Sequence, residues 1–355
     1  MGKNKGKSGK KPTTHMPFVS VCTPTYNRRP FFSTLFECFK NQDYPMSRIE
    51  WIIVDDGTDK VKDIVEAANI PQIKYFELEG KHTLGFKRNY MHDQTKGSII
   101  VYMDDDDYYP PDRISHAVDR LTRNSKALCA GSSELYIYFK HIQKMYQFGP
   151  YGPNHSTAGT FAFKRDLLKI SRYNPDACLA EEKEFLHNYT IPFVQLDPMK
   201  TILVFSHTQN TFDKKKLLEQ GENKFMKVSD KTVDMFIRRP NESEIKKFFM
   251  EDIDPLLEKY DPGDPSMKPD VIKQMKEIDE SRKKIQEENM KKMDQNNNNT
   301  SDQKYSITLQ EPGKPPVELD LMKAAQLLKT MQETVRQKDE KIKELENKIM
   351  LLESK

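Results

Sequence analysis

Four consecutive aspartates, Asp104–Asp107, follow directly on Ile99, Ile100, Val101, Tyr102 and Met103. An unbroken apolar and aromatic run without alternation predicts a strand covered on both faces, as in a parallel sheet. Adjacent carboxylates repel one another, so such a run at the end of a buried strand calls for something cationic beside it. A divalent ion with a phosphate-bearing ligand meets that need, because hard cations take one or two carboxylates plus phosphate oxygens. A solvated acidic turn is the plain alternative. The place directly after a buried strand, where open α/β sheets bind ligands, favours the ligand.

The elements that must hold this run alternate along the chain. Phe18–Cys22 reads as a first strand and Thr23–Asn27 as its terminal loop, after which Phe32, Leu35, Phe36 and Phe39 mark one helix face. Trp51–Val54 is a second strand ending in Asp55, Asp56, Gly57 and Thr58, and Val61, Ile64, Val65 and Ala68 repeat the helical spacing. A third strand over 73–78 and a less clearly patterned helix over 84–96 lead to the Ile99 strand, and Ile114, Ala117, Val118 and Leu121 follow as a helix. Alternating strand and helix predict an α/β fold with a parallel, doubly wound sheet. In that geometry Tyr26, Asp56 and Asp104–Asp107 share one crevice. Beyond about residue 127 shorter strands are expected at 128–130, 135–139 and 202–205, with a helix over 176–188.

Composition limits the rest. The chain has 355 residues, of which 36% are hydrophobic and 31% charged, and its net charge of +3 gives no overall bias toward nucleic acid. The mean hydropathy of −0.80 is low for an all-core chain, and the apolar residues concentrate before about residue 215. The first eleven residues hold five lysines and no acid, so 1–16 is read as a basic disordered tail. Gly6 stands where a myristoylation signal needs Ser or Thr. Cys22, Cys38, Cys129 and Cys178 form no CxxC pair and suit buried thiols in a reducing compartment. No apolar run is long enough to span a membrane and no signal peptide precedes Phe18, so a cytoplasmic chain is expected.

After a core domain over 17–215, residues 216–260 read as a helical appendage with a capping box at 241–244, and 261–304 as a linker of partly low complexity with a solvated helix over 270–293. Residues 305–309 and 317–321 alternate around a Pro-Gly turn, which predicts a hairpin. Leu321, Ala324, Leu328, Met331, Val335, Lys338, Ile342, Leu345, Ile349 and Leu352 step by three and four, with Lys341 and Lys348 facing Glu346 and Glu353 across a dimer. That pattern predicts a parallel coiled-coil homodimer through 321–352; a single amphipathic helix docked on its own domain is the alternative.

The Pro24–Asn27 loop, the Asp55–Thr58 turn, Arg88–Asn89, Gly97 and Asp104–Asp107 with Pro111 together resemble the GT-A glycosyltransferases of family 2. The resemblance covers residues 17–125 well and 126–211 loosely. It implies a GT-A fold, a Rossmann-like mixed sheet flanked by helices, carrying here a C-terminal helical extension and coiled coil. It further implies metal-dependent, inverting transfer of a sugar from a nucleotide diphosphate sugar, usually UDP-linked, to the hydroxyl of a glycan, protein or lipid. By position, Pro24, Tyr26 and Arg88 would contact the nucleotide and Asp56 its base. Asp104 and Asp106 would be the outer residues of a DxD motif, with Asp105 between them also at the donor. Asp106 would ligate Mn²⁺ or Mg²⁺, with Asp104 holding ribose or a metal-bound water and His207 in the place of a further ligand. Glu182, with Glu181 second, stands where the family places its general base.

The chemistry of that reaction suits these residue types: a departing diphosphate gathers charge that a Lewis acid offsets, and an acceptor hydroxyl needs a carboxylate base. Each residue also has a plainer reading. Asp56 suits a helix cap, Tyr26 a core position, His207 a structural histidine, and Glu181 and Glu182 the outer face of a helix. A non-catalytic scaffold assembled through the coiled coil is the competing function. A sugar nucleotidyltransferase would need a Gly-rich phosphate loop that the first strand lacks.

Overall fold

The computed structural model describes residues 16–299 apart from Ala180 and Glu222, and then 306–310, 317–320, 323–331, 334, 338 and 341. The basic tail and most of the 321–352 heptad pattern therefore lie outside the described residues. The chain divides into two compact units, Met1–Glu277 and Ile278–Lys355.

In the first unit β1 (Val19–Thr25), α1 (Phe32–Lys40), β2 (Ile49–Asp55), α2 (Lys62–Ala68), β3 (Ile73–Glu77), α3 (Leu84–Gln94), β4 (Ile99–Tyr102) and α4 (Arg113–Arg123) alternate as the periodicity predicts. Then come β5 (Cys129–Gly131), β6 (Leu135–Phe139), β7 (Lys144–Phe148), β8 (Ala162–Lys164), α5 (Glu182–Phe185), β9 (Phe193–Gln195), β10 (Val204–Ser206) and β11 (Met226–Val228). Short helices α6 (Val233–Phe236), α7 (Ser243–Lys247) and α8 (Ile253–Leu257) precede the long α9 (Pro269–Asn299).

The main sheet runs β3-β2-β1-β4-β8-β5-β9. Its first four strands are parallel, and β8 is antiparallel to both β4 and β5. Every residue of β1, β2 and β4 is buried, which is why these strands carry no alternation. Because β1, β2 and β4 share one direction, their C-terminal loops open on one edge of the sheet. A smaller sheet runs β10-β6-β7-β11.

The helices cover the sheet by their apolar stripes. Phe32, Leu35, Phe36 and Phe39 of α1 are all buried, and Phe39 stacks on Trp51 of β2 with ring centroids 4.3 Å apart. Ile114, Ala117, Val118 and Leu121 of α4 are likewise buried. The buried face of α3 is mixed, comprising Gly85, Lys87, Arg88, Met91 and His92, so its apolar periodicity is weak. Gly97 precedes β4 because a Cβ there would lie 2.4 Å from the Ser20 backbone nitrogen. The Gly97 N–H instead donates to Ser20 Oγ at 2.7 Å, joining the starts of β4 and β1.

Several expectations are corrected. The helix over 176–188 shrinks to α5: the residues before Glu182 form turns, and past Phe185 the left-handed angles of His187, Asn188 and Tyr189 keep it from continuing. A strand beyond the expected ones, β11, adds antiparallel to β7. The capping box sits at Arg239–Glu242, where the Arg239 N–H donates to Glu242 Oε2 at 3.2 Å, rather than at 241–244. Tyr108 draws Glu242 inward: its hydroxyl donates to Glu242 Oε1 at 2.9 Å in the core. Residues 261–274, read as the start of a linker, are instead packed on the loop after β1, where Asn27 Nδ2 donates to the Pro262 carbonyl at 2.7 Å.

In the second unit β12 (Ser306–Leu309) pairs antiparallel with β13 (Val317–Asp320), the hairpin that alternation predicts. Residues 323–331 are helical, with Leu328 and Met331 exposed.

Candidate active site

The loops after β1, β2 and β4 meet as the topology requires. After β1 the chain turns through Asn27 at φ +52°, so that Tyr26 and Arg28 face the crevice. After β2, Asp55 serves the loop itself, accepting from the Gly57 and Val61 N–H groups at 2.8 and 2.9 Å and from the Tyr75 hydroxyl at 2.7 Å. After β4, the fully buried Arg113 locks the strand end, donating through Nη2 to the carbonyls of Tyr102, Thr160 and Phe161 at 2.8–3.1 Å.

A cavity of about 160 Å³ lies between these loops, lined by Pro24, Tyr26, Arg28, Lys87, Arg88, Asp104, Asp105 and Asp106, together with Thr211, Lys268 and Asp270. Six of the sequence-derived donor residues thus share one wall: Pro24, Tyr26, Arg88, Asp104, Asp105 and Asp106. Asp56 does not line it. It lines an adjoining hollow with Gly57, Thr58, Leu78 and Tyr26, and Tyr26 belongs to both. The Asp56 carboxylate is buried, accepting from Lys87 Nζ at 2.7 Å and from the His82 N–H at 2.7 Å.

The aspartates are partly neutralised by the protein itself. Arg28, which the motif reading passed over although it stands two residues after Tyr26, lies 3.7 Å from Asp105 and 3.8 Å from Asp106. Arg88 stands 4.0 Å from Asp104 and 3.0 Å from Glu181, with its guanidinium over the Tyr102 ring at 4.3 Å. Burial disfavours the Arg88 charge, but Glu181 and its other neighbours outweigh that and keep it cationic. Two buried arginines, Arg28 and Arg88, thus supply part of the positive charge that the run calls for.

The four carboxyls differ sharply. Burial pushes Asp104 up, and burial with Asp106 beside it pushes Asp105 up to about 7 and Asp107 well above the usual range. Asp106 resists burial: His207 and Arg28 hold it well below its ordinary value.

His207, at the end of β10, puts Nε2 3.3 Å from Asp106 Oδ2. Burial pushes its imidazole down to about 4, so it is neutral and able to offer a lone pair. Asn210 holds the residue at two points: its Nδ2 lies 2.7 Å from His207 Nε2, and its Oδ1 accepts the His207 backbone N–H at 2.8 Å.

Among the described residues no group of three or more His, Cys, Asp and Glu side chains is arranged to hold a metal. The Asp106–His207 pair, with Asp104 Oδ1 buried and lacking a hydrogen-bond partner, still fits a hard divalent ion that takes its remaining ligands from phosphate and water.

Glu181 is buried and tied to Arg88. Glu182 opens α5 and is pushed up to about 7 by burial and then by Glu181. Neither lines the 160 Å³ cavity. Lys268, 164 positions beyond Asp104, reaches the cavity from the segment before α9, a placement no local pattern announces. Burial, with Arg28 adding to it, pushes its ammonium down to about 7.

Among the described residues no helix is long and apolar enough to cross a membrane. The family model described as glycosyl transferase family 2 matches residues 20–178. The poly(ribitol-phosphate) β-N-acetylglucosaminyltransferase TarS of Staphylococcus aureus (strain Mu50) is 33% identical over 101 residues, 28% of this chain and 18% of TarS. An uncharacterised glycosyltransferase of Haemophilus influenzae is 23% identical over 252 residues, 66% of this chain and 94% of that protein. Among solved structures, a crystal structure of S. aureus TarS superposes with a TM-score of 0.41 at 19% identity, covering 54% of this chain and 37% of TarS. The Pyrobaculum calidifontis mannosyltransferase PcManGT, in complex with GDP-Man and Mn²⁺, gives a TM-score of 0.43 at 18% identity, over 54% and 57% of the two chains.

Proposed function

We propose that this chain moves a sugar from a nucleotide diphosphate sugar, UDP-linked in the first instance, to an acceptor hydroxyl with inversion, a reading supported by the match of residues 20–178 to the glycosyl transferase family 2 model. The observation that carries the proposal is the convergence of Pro24, Tyr26, Arg88, Asp104, Asp105 and Asp106, from three separate loops and helices, on one cavity.

In this reading Tyr26, which borders both hollows, divides the donor. The base lies toward Asp56, Gly57 and Thr58. The diphosphate lies toward Arg28, Arg88 and the aspartates. Asp106 and His207 would hold Mn²⁺ or Mg²⁺, with Asp104 at the ribose or at a metal-bound water. When bound, that ion offsets the charge gathering on the departing diphosphate.

Glu182 is the general base, accepting the acceptor's proton as its oxygen attacks the anomeric carbon. Its elevation to about 7 suits a base working near neutrality, whereas Glu181 is held by Arg88. Arg88 links Asp104 to Glu181 and so keeps the donor and acceptor halves in register. The heptads over 321–352 are proposed to form a parallel dimer seam.

The test is turnover: the chain is incubated with Mn²⁺, hydroxyl acceptors and a panel of nucleotide sugars, and nucleoside diphosphate release is followed. Release with one donor class supports the reading. Donor binding without release from any of them would favour the scaffold.

A further inference from the structure

Residues 261–274 form a strap across the mouth of the donor cavity. Two short turns, Asp261–Gly263 and Pro265–Met267, run over the loop after β1 and into α9. The strap is pinned along its length. Asn27 Nδ2 donates to the Pro262 carbonyl at 2.7 Å and the Tyr26 hydroxyl to the Met267 carbonyl at 3.0 Å. Further on, Lys81 pairs with Asp270, and Gln274 Oε1 accepts from the Cys178 and Leu179 N–H groups, both at 2.8 Å.

Between these pins Lys268 turns inward. It is 8% exposed and lines the same cavity as Arg28, Arg88 and Asp104–Asp106. Its ammonium has one hydrogen bond, to Thr211 Oγ1 at 3.0 Å. Asp105 and Asp106 across the cavity favour its charge but give it no hydrogen bond, so a phosphate oxygen seated there would supply the acceptors this ammonium lacks. The cavity beneath, about 160 Å³, adjoins the hollow beside Asp56, so in the donor reading it takes the diphosphate end while the base lies next door.

We propose that Lys268 is a diphosphate-binding residue, carried into the donor cavity by the strap of residues 261–274. This rests on the donor-site reading above. It adds to the family-matched segment, residues 20–178, a donor contact from outside it.

The experiment titrates the full-length chain with UDP and with GDP in the presence of Mn²⁺, comparing wild type, Lys268→Met and Lys268→Arg, and records the melting temperature of each without ligand. Lys268→Met keeps the apolar stem and removes the charge. It is expected to weaken the diphosphate that wild type binds by about 10- to 100-fold, the usual worth of a charged hydrogen bond, while the unliganded melting temperature holds or rises. Lys268→Arg is expected to stay within about threefold of wild type. Equal affinity in Lys268→Met overturns the proposal. So does a Lys268→Arg variant as weak as Lys268→Met, which would make the position one of shape rather than charge. Wild type binding neither diphosphate overturns the donor-site reading as well, a result distinct from either of these.

Discussion

Arg88 Nε lies 3.0 Å from Glu181 Oε1, and the same guanidinium reaches 4.0 Å from Asp104. One buried cation thus ties the acidic run after β4 to the carboxylate pair at α5. Replacing it leaves the buried Glu181 carboxylate without its cation, a loss typically worth about 3–5 kcal/mol, and removes the nearer charge from the partly exposed Asp104. Arg88→Met should lower the melting temperature by roughly 6 °C or more, read by calorimetry on the unliganded chain, since about 1 kcal/mol moves a domain of this size by about 2–4 °C.

Glu182 gives the pH dependence. A base must be deprotonated to act, so kcat/KM should climb as pH rises through about 7, the value to which burial and Glu181 push this carboxyl. Glu182→Gln should remove that limb and cost about 10²- to 10⁴-fold in rate. Stability runs the other way. A carboxyl whose folded value is raised from 4.5 to about 7 contributes stability that is whole below 4.5 and lost as pH climbs through about 7. Urea midpoints of wild type should therefore fall over that window relative to Glu182→Gln.

The Lys87–Asp56 pair, 2.7 Å apart and buried, holds the loop after β2 to α3. Lys87→Met should destabilise the chain by about 3–5 kcal/mol, as a buried carboxylate loses its cation. An unaltered urea midpoint would show that the His82 N–H alone satisfies Asp56.

Gly97→Ala places a methyl group 2.4 Å from the Ser20 backbone nitrogen, where β4 and β1 begin. Overpacking of this kind costs about 1–3 kcal/mol, and a thermal melt measures it.

Much of this architecture is legible in the chain. β4 announces itself as an unbroken apolar run, β2 by its Trp51–Val54 stretch and β1 by Val19, Val21 and Cys22, while α1 and α4 show apolar stripes and the strand-end positions of Tyr26, Asp56 and Asp104–Asp107 follow from parallel topology. What was hidden has a physical reason in each case. The face that α3 buries carries Lys87, Arg88 and His92, so the residues that build the site also blur the helix. Arg28 lies beside the recognised loop, but its partners are 77 and 78 positions away. The strap is short, Pro-punctuated and aperiodic, so its composition resembles a linker, and its bonds to Asn27 and Tyr26 span 235 and 241 positions. The helix expected over 176–188 does not continue past Phe185, beyond which three successive residues take left-handed angles, a backbone choice that side-chain periodicity does not encode.

The most direct measurement of the central claim is a calorimetric titration of nucleotide sugars, with Mn²⁺ present, into wild type and Asp106→Ala. Asp106 is the carboxyl that His207 and Arg28 keep ionised, so its loss should abolish Mn²⁺-dependent donor binding and leave the melting temperature within a few degrees of wild type. A variant that binds the donor as tightly as wild type, or a wild type that binds no nucleotide sugar at all, contradicts the account.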